Sequence, residues 1–252
     1  MAKTFFSTQK MLKKLLQTFK SKPSQSDDFI KRIRSLVIGE GMLKEGNISL
    51  MDLAIKNMPT EGKVVEIGSY GGLSTNLIIY LMQKHKKNNL FFTCDAWIYE
   101  GINDHLCQMA DATIDGRANI LRTDYSIYLK KAFIHSTTFL SSQNLPYSFH
   151  MYSDLFFENW NHSRSEIDVF GRTIEMGGSI CFAYIDGGHS YEVAWKDFNN
   201  ITQHLIKGGF ILLDDSADGQ NFGRARMMSQ IKKDNRFKVI AKNPNYLIQK
   251  IV

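Results

Sequence analysis

Three aspartates and a histidine carry the strongest chemical signal in the sequence. Asp186, in Ile185-Asp-Gly-Gly-His189, follows one run of apolar residues, and the pair Asp214-Asp215 follows another. Both runs read as buried strands, which places the three carboxylates at the C-terminal rim of adjacent central strands. Carboxylates that converge without a cation repel, each raising the pKa of the others. A hard divalent ion relieves that repulsion, and all-oxygen ligation suits Mg²⁺ or a similar ion far better than zinc. The competing reading makes one aspartate a turn cap and the other a solvated surface charge. His189 is a candidate general base, because an imidazole ordinarily titrates near pH 6.5 and accepts protons at neutrality. Its bland alternative is a hydrogen-bonded turn histidine, and Asp186 is the other candidate base.

A second stretch, Val64-Val-Glu66-Ile-Gly68-Ser-Tyr70-Gly-Gly72-Leu-Ser74-Thr75, reads as a short buried strand, a glycine-rich turn and the start of a helix. The β-branched residues suit a parallel sheet, and the glycines let the backbone turn tightly and approach a ligand. Ser74 and Thr75 fall in the first helical turn, where unpaired N–H groups and the dipole favour an anionic group. This is the local physics of a nucleotide-like ligand. The spacing excludes two common versions: Tyr70 stands where a dinucleotide site needs its second glycine, and no Gly-Lys-Ser/Thr follows as in a P-loop. Asp95 ends the next predicted strand, 27 residues after Gly68, where a carboxylate can accept both hydroxyls of a ribose. Ser153 and Asp154 follow a third short strand and are candidates for the adenine edge. They serve equally well as the cap of the helix beginning near Leu155.

The E-x-G-x-x-x-G-x-S-T pattern resembles motif I of the class I S-adenosylmethionine-dependent methyltransferases. Val65 to Ser74 is similar to the first motif of catechol-type O-methyltransferases. Ile185-Asp-Gly-Gly-His189 and Lys207-Gly-Gly-Phe-Ile-Leu-Leu-Asp214-Asp215 resemble the segments that carry magnesium ligands there and in macrolide and aminocoumarin sugar O-methyltransferases. The likeness spans roughly residues 60–250. It implies that Glu66, Gly68, Tyr70, Gly72 and Ser74 hold the methionine end of S-adenosylmethionine and Asp95 its ribose. It also implies that Asp186, Asp214 and Asp215 hold the metal. The departures are Asp215 where the catechol type has Asn, and His189 where that type has a lysine base. The activity implied is metal-dependent O-methylation of a small-molecule hydroxyl, a sugar or phenolic group of a natural product or glycan. The alternatives are transfer without a metal, with His189 alone as base, and a non-catalytic scaffold docked by a basic arm.

Positioning these residues requires strands alternating with helices, hence an α/β, Rossmann-like parallel sheet with helices on both faces. Predicted strands cover 64–67, 90–95, 148–152, 179–185 and 210–213, and Phe237–Lys242 with Tyr246–Ile251 forms a C-terminal antiparallel β-hairpin. Helices are expected over 49–57, 73–87, 125–140, 191–206, from near Leu155, and to about Lys232, with Gly208-Gly209 ending the 191–206 helix. Residues 1–58 form an N-terminal helical arm with lead-in helices over Phe29–Val37 and Ser49–Asn57. Residues 59–252 form the S-adenosylmethionine-binding domain, with an insertion at about 97–147, irregular around Gly101–Asp104, assigned to the substrate pocket.

The net charge of +6 is unevenly placed. Residues 1–34 hold nine Lys/Arg and two Asp/Glu, whereas the rest of the 252 residues carry 22 basic and 23 acidic side chains. A neutral body argues against a basic groove tracking nucleic acid. The amphipathic stripe over Lys10–Lys20 suits packing, a homo-oligomer interface or a membrane surface through residues 1–22. Apolar runs are far too short to span a bilayer. Cys94, Cys107 and Cys181 lack metal spacing and suit reduced thiols, which points to the cytoplasm.

Overall fold

The computed structural model describes residues 43–98 and 122–252. The predicted elements over 10–20 and 29–37, the loop around Gly101–Asp104 and Cys107 lie outside the described residues. In chain order the elements are α1 (Glu45–Asn57), β1 (Lys63–Ile67), α2 (Leu73–Lys84), β2 (Phe91–Asp95), α3 (Arg122–Ser141) and β3 (Tyr147–His150). They continue with α4 (Ser153–Asn161), β4 (Ser165–Ile167), β5 (Thr173–Glu175), β6 (Ile180–Ile185), α5 (Tyr191–His204) and β7 (Leu205–Leu213). The last three are α6 (Gly223–Ile231), β8 (Phe237–Lys242) and β9 (Tyr246–Lys250).

Seven strands form one sheet in the order β3-β2-β1-β6-β7-β9-β8, parallel except where β9 pairs antiparallel with both β7 and β8. Successive residues of the central strands face opposite layers. Val65, Phe92 and Ile185 pack with Phe156 and Trp160 of α4, Phe198 of α5 and Met227 of α6. Val64, Phe91 and Tyr184 pack with Met51 and Ile55 of α1 and with Leu77 and Leu81 of α2. Both faces are therefore covered, which is why these strands read as unbroken apolar runs. Helix α1 shares this core, its Met51, Ala54 and Ile55 having no exposed surface. The strand order reverses between β1 and β6, and an open α/β sheet forms its ligand crevice at that point.

Two local features differ from the sequence expectation. Gly208 and Gly209 do not end α5; they lie inside β7, which begins at Leu205. Leu205 pairs with Ile180, and the register then jumps to Phe182↔Phe210, with Gly208 at φ +83° forming the bulge. The carbonyls left open at the end of α5 are taken by Lys250 Nζ, which donates to Thr202 O and Leu205 O at 3.2 and 2.7 Å. The long connection from Ser153 to Asp186 contains the small antiparallel hairpin β4–β5, whose three-residue strands are too short to show a period in sequence.

Candidate active site

The C-terminal ends of β1, β2, β6 and β7 open into a cleft of about 840 Å³, a size that suits a small-molecule ligand. Its rim at β1 is the glycine turn. Gly68 holds φ +88°, and a Cβ there would stand 2.2 Å from Asp186 O, so only glycine lets β1 and β6 end this close together. Asp95, closing β2, clamps the turn: Oδ2 accepts from the Ser69 and Tyr70 amides at 2.7 and 2.8 Å, and Oδ1 from the Trp97 amide at 2.6 Å. The clamp holds Tyr70 and Trp97 at φ +45° and +43°, a left-handed backbone that non-glycine residues rarely adopt. The Tyr70 hydroxyl then meets the Tyr125 hydroxyl of α3 at 2.7 Å.

Gly68, Tyr70, Ser74, Asp95, Ser153, Asp186, His189, Asp214 and Asp215 all line the cleft; Glu66, Gly72 and Asp154 do not. Gly72 begins α2 at φ +93° and packs on α3, where a Cβ would lie 2.8 Å from Ser136 Oγ. Asp154 is exposed and ion-paired with Lys196 at 2.6 Å, so its charge is engaged outside the cleft. Ser153 is the first residue of α4 and makes no side-chain cap.

Glu66 is fully buried beneath the turn. Its Oε2 accepts from the Thr75 hydroxyl, while Oε1 has no hydrogen-bond partner among the described residues. Burial pushes its pKa from the ordinary 4.5 to about 7, against the opposing hydrogen bonds of Ser74 and Thr75. The fold therefore favours the protonated form, a contribution present below the ordinary pKa and lost as the pH rises through about 7. Between pH 5 and 8, wild-type protein is expected to lose up to about 3 kcal/mol of unfolding free energy relative to Glu66→Gln. Parallel pH profiles of the two proteins in denaturant titrations would contradict this assignment.

The three aspartates converge. Each offers a carboxylate oxygen within 4.8 Å of the others. Asp186 is anchored by its amide on Ile67 O at 2.7 Å, and the Tyr184 hydroxyl donates to its Oδ2 at 3.2 Å. Burial and then the neighbouring Asp214 carboxylate hold the Asp186 pKa well above the usual carboxylate range. Asp214 Oδ1 accepts from two buried amides, Asn47 of α1 and Asn245 of the β8–β9 turn. Asp215 sits at φ +48° and pairs through Oδ1 with Lys44 Nζ at 2.8 Å, and its Oδ2 lies 3.5 Å from His189 Nε2. The His189 ring also packs against Phe222, with centroids 5.3 Å apart.

Sequence reasoning missed the group that ties these segments together. Arg224 has no exposed surface. Its Nε donates to Asp214 O at 2.7 Å and one Nη to Gly187 O and Gly188 O at 2.9 and 3.0 Å. The other Nη lies 3.4 Å from Asp186 Oδ1 and 3.6 Å from Asp215 Oδ2. The triad is thus not an assembly of bare negative charge, as the sequence argument for a metal assumed; Arg224 and Lys44 already oppose it. The available signal was Gly223, where a Cβ would meet Ser190 O at 2.4 Å and would push the start of α6 away from the Asp186 loop.

Residues 65–216 match the methyltransferase domain family (Methyltransf_24), a span that includes the glycine turn and all three aspartates. The chain belongs to this family. Its fold is that of the class I S-adenosylmethionine-dependent methyltransferases, with the sheet reversal and C-terminal antiparallel pair described above. Three solved structures illustrate the likeness. An O-methyltransferase from Bacillus cereus, in complex with SAH, superposes with a TM-score of 0.54 at 11% identity, over 94% of this chain and 96% of that one. The O-methyltransferase NovP gives 0.52 at 13% identity, over 87% and 88%. CalS11, a TDP-rhamnose 3'-O-methyltransferase of calicheamicin biosynthesis, gives 0.52 at 14% identity, over 99% and 95%. At such identities the likeness is one of fold. No curated protein matches the sequence.

Proposed function

We propose that this methyltransferase transfers the methyl group of S-adenosylmethionine to a hydroxyl of a small molecule, a sugar or phenolic group of a natural product or glycan. The observation that carries the reading is the convergence of Asp186, Asp214, Asp215 and His189 on the cleft beside the glycine turn. The cofactor fits this cleft in kind: an open crevice lined by the apolar Trp97, Ile98 and Met151 together with the Asp95 carboxylate. Asp95 would hold the ribose, Ser74 and the turn at Gly68 and Tyr70 the methionine end, and Ser153 the adenine side. Bound S-adenosylmethionine supplies an electrophilic methyl group.

The donor set of the triad suits a hard divalent cation, which Asp186, Asp214 and Asp215 would hold. Such a cation supplies Lewis-acid charge that lowers the pKa of an acceptor hydroxyl. The chain's own residues do the remaining work. The cleft orients the hydroxyl toward the methyl group, and fixed geometry of this kind replaces much of the entropy lost in a bimolecular encounter. His189 takes the hydroxyl proton, and Asp215, facing its Nε2, stabilises the imidazolium that results. Transfer without a metal is the second reading, favoured by the positive charge that Arg224 and Lys44 already bring to the triad.

Calorimetric titration with S-adenosylhomocysteine, with and without Mg²⁺ and in EDTA, tests the cofactor assignment. Binding is expected in all three conditions, and a panel of sugar and phenolic acceptors should then yield a methyl ether. Absence of binding in every condition would overturn the reading, and methylation of amines alone would overturn the choice of acceptor.

A further inference from the structure

The two cations that face the triad differ in their freedom to move. Arg224 is completely enclosed and fastened to three main-chain carbonyls, so its guanidinium is fixed. Lys44 precedes α1, leaves a third of its side chain in solvent, and reaches the triad only through Asp215 Oδ1. It also lines the cleft, so its ammonium stands where a ligand of the triad would enter. Asp215 in turn is 14% exposed and touches both cations as well as His189.

We propose that Arg224 is the permanent counter-ion of the carboxylate triad and Lys44 an exchangeable one, so that a divalent cation binds by displacing the Lys44 ammonium from Asp215. The inference rests on reading the triad as a cation site. With all three carboxylates ionised, as cation ligation requires, two fixed positive charges would leave one formal negative charge, a poor attraction for a divalent ion. Releasing Lys44 to solvent restores a second negative charge and uncovers a carboxylate oxygen. A long, partly exposed lysine stem can make that move without disturbing the core, whereas Arg224 cannot.

The probe is Mn²⁺, titrated calorimetrically at fixed ionic strength into the full chain saturated with S-adenosylhomocysteine. Lys44→Gln is expected to bind Mn²⁺ on the order of tenfold more tightly than wild type, since a unit charge a few ångströms from a divalent ion is removed. Lys44→Arg keeps the charge and should retain wild-type affinity within about twofold. Equal or weaker Mn²⁺ affinity in Lys44→Gln, or no measurable Mn²⁺ binding by either protein, would overturn the proposal. S-adenosylhomocysteine affinity in the same samples separates the two levels of inference. Retained cofactor binding with no gain in Mn²⁺ affinity removes the counter-ion exchange alone, and lost cofactor binding in wild type removes the proposed function.

Discussion

Asp186→Asn is expected to lower the rate of methyl transfer by about 10²- to 10⁴-fold while leaving S-adenosylhomocysteine affinity within about threefold. The substitution is close to isosteric, and the position is held by its main-chain amide on Ile67 O, so the cleft should keep its shape. What disappears is the carboxylate at the end of β6, which in the proposed mechanism would act either as a cation ligand or as a proton acceptor. This variant isolates chemistry better than removal of Asp214, whose loss would strand the buried amides of Asn47 and Asn245. Single-turnover rates at saturating cofactor give the test, and activity within tenfold of wild type would remove Asp186 from the mechanism.

Arg224→Met should be the most destabilising single change at the site. It removes hydrogen bonds to Asp214 O, Gly187 O and Gly188 O and leaves the Asp186 and Asp215 carboxylates facing one another without their enclosed cation. Breaking a buried charge cluster by deleting one partner costs about 3–5 kcal/mol. In a chain of this size that corresponds to a melting temperature lower by roughly 10 °C. A loss under about 1 kcal/mol in denaturant titration would show that Arg224 is a bystander.

The sheet was legible because its central strands are covered on both faces. Ile180–Ile185 and Phe210–Leu213 read as continuous apolar runs, and each ends on the aspartate that the structure brings to the cleft. The parallel character of the sheet followed from the alternation of strand and helix, and the terminal hairpin from the turn at 243–245. What remained hidden depended on contacts between distant segments. Asn47 and Asn245 look like ordinary polar residues of a helix and a turn, and only tertiary packing brings both amides to Asp214. Arg224, near the start of an amphipathic helix, has the sequence profile of a solvent-facing charge; its burial comes from the close approach that Gly223 allows. Gly208-Gly209 misled because paired glycines end helices more often than they bulge strands. Glu66 and Asp95 were singled out by position; Glu66 lies buried beneath the turn rather than in the cleft lining, and Asp95 braces the turn through three amides.

The two amides on Asp214 come from segments far apart in the chain, Asn47 ahead of β1 and Asn245 in the β8–β9 turn. During synthesis, nearly all of the sheet therefore emerges from the ribosome before Asp214 can acquire its second amide. A nascent chain stalled before β8 would contain the strand ends that frame the cleft but lack the Asn245 amide on Asp214. Completion of the hydrogen bonding around Asp214 therefore waits on the β8–β9 turn.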